Sequence, residues 1–130
     1  MEQTFCKDER LSSRNLIKKL FDEGEKRFSY PFRVTYLNCE IPSKYPVQLL
    51  ISVPRSLFKK ASDRNRIKRL IREAYRRNKY ILYDPLNRSN KQILLCLAYT
   101  SKEIVSFDII KEKIIVLLQR LKEDHAEVAR

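Results

Sequence analysis

KKASDRNRIKRLIREAYRRNK, residues Lys59–Lys79, carries ten basic side chains against the two acids Asp63 and Glu73. Ile67, Leu70, Ile71, Ala74 and Tyr75 recur at i, i+3, i+4, i+7 and i+8, which predicts an amphipathic helix with one apolar side. At about 100° per residue, Asn65, Arg69, Arg72 and Arg76 share a narrow arc on the opposite side with Lys68 flanking it, a polar ridge roughly 17 Å long. Ser62 or Asp63 is the expected N-cap, and Arg76, Arg77 and Lys79 sit where the helix dipole favours cations. Arg64 and Arg66 instead crowd the positive N-terminus, where cations destabilise unless an anion or an acid compensates.

Before this helix, VQLLISV (Val47–Val53) is apolar on both faces, which predicts a central strand ended by Pro54. YPFRVTYLNC (Tyr30–Cys39) alternates, with Phe32, Val34 and Tyr36 on one face and Arg33, Thr35 and Leu37 on the other. Pro42, Ser43 and Pro46 mark a turn short enough to make these two strands antiparallel neighbours. Earlier still, Leu16, Ile17, Leu20 and Phe21 form the stripe of a first helix, capped by Ser12, stapled by Leu11 and Leu16, and closed by a left-handed Gly24. After the basic helix, Tyr80–Asn90 contains Pro85, Asn87, Ser89 and Asn90 and reads as a loop. QILLCLAY (Gln92–Tyr99) is a buried strand, and Ser106 caps a last helix with Phe107, Ile110, Ile114, Leu117, Leu118 and Leu121 inward. The expected fold is α+β: a single-domain α-β sandwich over residues 1–130, order αββ(β)αβα, with residues 1–10 and 123–130 frayed. One mostly antiparallel sheet carries helices mainly on one face, leaving the other as a cleft.

Apolar residues make up 43% of the chain and charged residues 34%, so it folds around a core instead of remaining a disordered basic tail. A net charge of +12 directs attention to polyanionic partners. Neither a membrane-length apolar run nor a signal-peptide core is present in the sequence, and the expected location is cytoplasmic. Cys6, Cys39 and Cys96 lack close spacing and suit free thiols. Gly24 is the only glycine, which excludes a glycine-rich phosphate loop. His125, the only histidine, lies in the charged tail and reads as solvated.

A charge run on a helix is commonly a solvated face. Here guanidinium forks are mixed with an amide, and Lys59 and Lys60 extend the charge beyond the helix start, which favours a recognition surface. No helix-turn-helix, zinc finger or basic zipper accompanies it, so folded RNA fits better than DNA. The apolar side is needed by the sheet, which argues against insertion into a membrane surface.

RNRIKRLIRE (Arg64–Glu73), preceded by Lys59–Ala61 and followed by Arg76, closely resembles the RNR signature of the bacterial ribonuclease P protein subunit. The resemblance extends from Arg10 and Leu11 through the Ile17, Phe21, Gly24 spacing and the strands to the last helix. It implies a ribosomal-protein-S5-domain-2-like fold with a left-handed βαβ crossover. It also implies a subunit that assembles, one protein to one RNA, with a catalytic RNA to remove the 5′ leader of precursor tRNA. In the family that hydrolysis depends on Mg, held mainly by the RNA. By position, the resemblance makes Arg55, Lys59, Lys60, Arg64, Asn65, Arg66, Lys68, Arg69, Arg72 and Arg76 the RNA-binding residues. It likewise makes Ile17, Phe21, Arg33, Thr35 and Tyr36 the leader-cleft residues, although Ile17 stands where an aromatic is common. Arg55 and Ser56 replace a family lysine pair, with one charge fewer.

A protein nuclease needs clustered carboxylates or a positioned acid and base, and the acids here are scattered along the chain. The RNA is therefore expected to carry the chemistry, and the protein to contribute charge and position. A general RNA-binding module and a self-sufficient metal nuclease are the competing readings.

Overall fold

The computed structural model describes residues 4–128, with side chains through His125. A single 3-10 turn (Lys7–Glu9) precedes α1 (Arg14–Glu23), β1 (Glu25–Ser29), β2 (Phe32–Asn38), β3 (Val47–Ser52), α2 (Ala61–Asn78), α3 (Tyr80–Ser89), β4 (Ile93–Tyr99) and α4 (Phe107–Val128). The strands form one mixed sheet in the order β1-β2-β4-β3, antiparallel except for the parallel β3–β4 pair. The α+β single domain expected from the sequence is present.

The expected pairing of β2 with β3 is not. β4 lies between them, so that Cys96 faces Thr35 on one side and Leu50 on the other. β3 is therefore an edge strand, and its two-faced apolar character has another cause. Leu11 N–H donates to the Leu49 carbonyl at 2.9 Å and Arg10 bridges Leu49, so the chain before α1 covers that edge. The segment expected to fray is thus partly built in: Glu9 is fully buried.

On one sheet face Phe32, Val34, Tyr36, Val47, Leu49, Ile93, Leu95, Leu97 and Tyr99 pack with residues of α2, α3 and α4. On the other, Leu94 and Cys96 meet Leu11, Leu20 and Ile41, with Leu16, Ile17, Leu37 and Leu50 around them. Helices thus occupy both faces, α1 only part of the second. Each buried Leu or Ile in these clusters contributes about 1.5–3 kcal/mol.

Local signals explain the remaining differences. Tyr80–Ser89 is helical although Pro85 lies inside it, because Leu82, Tyr83 and Leu86 bury one face. Asn90 ends it in the left-handed conformation at φ 55°, with Asn90 and Lys91 N–H groups reaching the Leu86 carbonyl. Ser13, not Ser12, caps α1, accepting from Leu16 N–H at 3.3 Å. Lys60 occupies the N-cap of α2 without a side-chain hydrogen bond, in place of Ser62 or Asp63. Ser106 does cap α4, accepting from Ile109 N–H at 3.4 Å. Gly24 is extended, φ −71° and ψ 154°, not left-handed. A Cβ there would stand 2.3 Å from the Leu20 carbonyl oxygen and 3.0 Å from that of Tyr36, so close approach is what requires glycine. α4 continues through Glu123 to Val128, and His125 is buried, its Nδ1 and Nε2 each 2.7 Å from an acceptor, Leu121 O and Asn38 Oδ1.

Candidate nucleic-acid interface

α2 buries Ile67, Ile71, Ala74 and Tyr75 completely, which fixes its rotation about its own axis. The opposite arc is consequently outward: Asn65, Arg66, Arg69 and Arg72 are exposed, while Lys68 and Arg76 are half-buried. Arg55, Lys59 and Lys60 are exposed in the turn between β3 and α2 and at its entry. The ridge read from the sequence is therefore assembled on one surface.

Its members differ in how much of their charge is already answered. Glu73 holds Arg76 (2.7 Å) and Arg77 (2.8 Å), and the Arg76 guanidinium beside it keeps its carboxyl below the usual range. Arg64 folds back so that Nη1 donates to the carbonyls of Phe58 at 2.8 Å and Lys59 at 2.9 Å. That resolves the cation at a positive helix end, since the entry loop supplies the negative dipoles. Among the described residues, Arg66, Lys68, Arg69 and Arg72 form no ion pair. These four, with the exposed Arg55, Lys59 and Lys60 before the helix, carry charge that no carboxylate among the described residues answers.

A separate groove of about 460 Å³ lies on the second sheet face, beside α1 and lined by Phe21, Lys26, Arg27, Phe28, Arg33 and Thr35. It follows from register: Lys26 opposes Thr35 and Phe28 opposes Arg33, so all four side chains leave the sheet on the same side. Phe28 is 62% and Phe21 42% exposed, two ring faces open to a ligand, whereas Thr35 is buried at the floor. Lys26, Arg27 and Phe28 are hidden in the sequence by their setting. EKRFS holds a single apolar residue, Phe28, so no period-2 alternation marks it as a strand and its charge makes it read as a connector.

Phe21, Arg33 and Thr35 are brought together here, while Ile17 is half-buried in the cluster with Leu11, Leu20 and Leu94. Tyr36 lies on the opposite sheet face, as its alternation with Thr35 requires. Its hydroxyl donates to Glu25 Oε2 at 2.5 Å and accepts from Arg27 Nη2 at 2.9 Å. Burial, then the bond to Glu25, pushes this phenol up to about 12. Among the described residues no three His, Cys, Asp or Glu side chains converge on a point where a cation would be held. The donors among the described residues therefore do not fit Mg.

The fold and the outward cationic ridge of α2 define a small basic α+β domain with one strongly positive helix face. A family model described as Ribonuclease P matches residues 5–122. The Ribonuclease P protein component of Porphyromonas gingivalis is 40% identical over 102 residues, covering 78% of this chain and 74% of that protein. That of a Thermotoga species is 32% identical over 125 residues, covering 94% and 99%. The solved RNase P protein of Thermotoga maritima matches with a TM-score of 0.69 at 30% identity, covering 86% of this chain and 96% of its own. The Staphylococcus aureus protein, at TM-score 0.64 and 22% identity over 86% and 94%, shares the fold. This chain belongs to the ribonuclease P protein family, the protein component of a tRNA-processing ribonucleoprotein endonuclease.

Proposed function

We propose that the outward arc of α2 docks on the catalytic ribonuclease P RNA and that the Phe21–Arg33 groove receives the single-stranded 5′ leader of precursor tRNA. The observation that carries this is the row of Lys68, Arg69 and Arg72, exposed or half-exposed and without a carboxylate among the described residues. Guanidinium forks so placed suit phosphates held by a folded RNA. The groove supplies rings for stacking and Lys26 and Arg33 for the backbone, the combination that single strands require. In this reading the RNA carries the hydrolysis and holds Mg, while the protein offsets phosphate repulsion and aligns the substrate, one copy per RNA, in the cytoplasm. The S5-domain-2-like left-handed crossover between β3 and β4 belongs to the same proposal.

The test is cleavage of a 5′-labelled precursor tRNA at low Mg by a bacterial ribonuclease P RNA alone, the protein alone, and both. Cutting at the mature 5′ end by the mixture only is expected. A protein that binds the RNA without promoting cleavage would leave a general RNA-binding module. Within the complex, Arg69→Ala or Arg72→Ala should weaken binding and lower the salt slope by roughly 0.7–0.9 for each phosphate no longer neutralised. An unchanged slope for both would make the ridge a merely solvated face.

A further inference from the structure

At the C-terminal end of α2, where α3 begins, a hollow of about 310 Å³ opens between the helices and the loop before β3. It is separate from the groove beside α1, and none of its lining is shared with that groove. Lys44, Tyr45, Tyr80, Asp84 and Asn87 are among its lining, together with Arg77, whose guanidinium is held by Glu73 at 2.8 Å. Tyr80 is 42% exposed, a large ring left in water. Lys44 Nζ lies 5.4 Å from the centroid of the Tyr45 ring, so a cation and an aromatic face are already side by side.

We infer that this hollow holds one unpaired nucleotide of the bound RNA, its base against Tyr80 and its phosphate toward Lys44. The inference rests on the docking of α2 proposed above. Size selects the ligand: the volume is at the lower end of ligand pockets, roughly 300–1,000 Å³, which admits one flat ring and excludes a duplex. Chemistry selects it too, because rings beside cations form a stacking platform with a phosphate holder. Asp84 turns phosphate away from its own side and accepts from an exocyclic amino group, which favours adenine, cytosine or guanine over uracil. Position completes the argument, since Arg76 ends the ridge and lines the hollow, so a strand tracking α2 can drop a base into it.

The experiment is a salt titration of binding between the full chain and a bacterial ribonuclease P RNA, for wild type, Tyr80→Ala, Tyr80→Phe and Arg69→Ala. Tyr80→Ala should weaken binding about ten-fold with an unchanged salt slope, because it removes a stacking ring and leaves every phosphate neutralised as before. Tyr80→Phe keeps the ring and should remain within about three-fold of wild type. If Arg69→Ala weakens binding while Tyr80→Ala does not, the hollow is empty in the complex and the inference falls while the docking of α2 stands. Equal losses for Ala and Phe would put the interaction on the hydroxyl and overturn stacking. Failure of the wild-type protein to bind removes the docking and this inference together.

Discussion

Arg64 and Arg69 belong to one helix and the same signature, yet they answer to different forces. Arg64 spends two guanidinium hydrogen bonds on the carbonyls of Phe58 and Lys59 at an N-terminus with no side-chain cap, whereas Arg69 is exposed without an ion pair among the described residues. Arg64→Ala should therefore lower the stability of the RNA-free protein by about 1–2 kcal/mol, read in urea denaturation. Arg69→Ala should change that stability by less than about 0.5 kcal/mol and act on RNA affinity. Equal stabilities for the two variants would mean that Arg64 is as free as Arg69. Tyr36 makes a similar point with a proton. Its phenol titrates near 10 when unfolded and near 12 when folded, so the native state keeps the proton longer. The stability tied to this group is complete below pH 10 and is lost as pH rises from 10 to 12. Tyr36→Phe should flatten that alkaline decline, and an equally steep decline in the variant would show that other groups cause it.

α1 meets the sheet at Gly24, where the Leu20 and Tyr36 carbonyl oxygens leave no room for a Cβ. Gly24→Ala should force α1 away from β2, cost about 1–3 kcal/mol and disturb the groove beside Phe21. A melting temperature equal to wild type would show that the close approach relaxes easily. What the sequence made legible among the elements followed local periodicity: the buried and outward sides of α2, the alternation of β2, the apolar run of β4. What it hid was set by distant partners. β4 enters between β2 and β3 from more than forty residues away, and no short-range signal near Pro42 or Pro46 reports that insertion. β3 looked central because Arg10 and Leu11 cover its edge. α3 was concealed by Pro85 and Asn90, although Leu82, Tyr83 and Leu86 keep helical spacing and Asn90 serves as its left-handed terminator. For the candidate site, the ridge was legible because one helix carries it. Half the groove was not, because Lys26 and Phe28 join Arg33 and Thr35 only through the β1–β2 register.

Across the whole molecule, a net charge of +12 works against compaction, and one buried ion pair ties the start of the chain to the helices. Lys79 Nζ lies 2.5 Å from Glu9 Oε1 and also reaches the Thr4 carbonyl, while Tyr83 donates to the same carboxylate at 2.8 Å and Cys6 N–H to its other oxygen at 2.7 Å. Both ions are nearly inaccessible, Glu9 at 0% and Lys79 at 5% exposure, so each depends on the other for compensation. The pair sits at the junction of α2 and α3 and anchors the same segment that covers the edge of β3. Removing one ion leaves the other buried and unanswered: Lys79→Met should cost about 3–5 kcal/mol in denaturant titration. Adding Glu9→Gln to it removes the stranded carboxylate while retaining an acceptor for Tyr83, so the double variant should be more stable than Lys79→Met alone. In Lys79→Met the chain before α1 should also become the first site of limited proteolysis, since its release needs no unfolding of α2 or β4. A cost under about 1 kcal/mol in Lys79→Met, or no recovery in the double variant, would show that the edge of β3 is held by the Leu11–Leu49 hydrogen bond and apolar packing instead of by this ion pair.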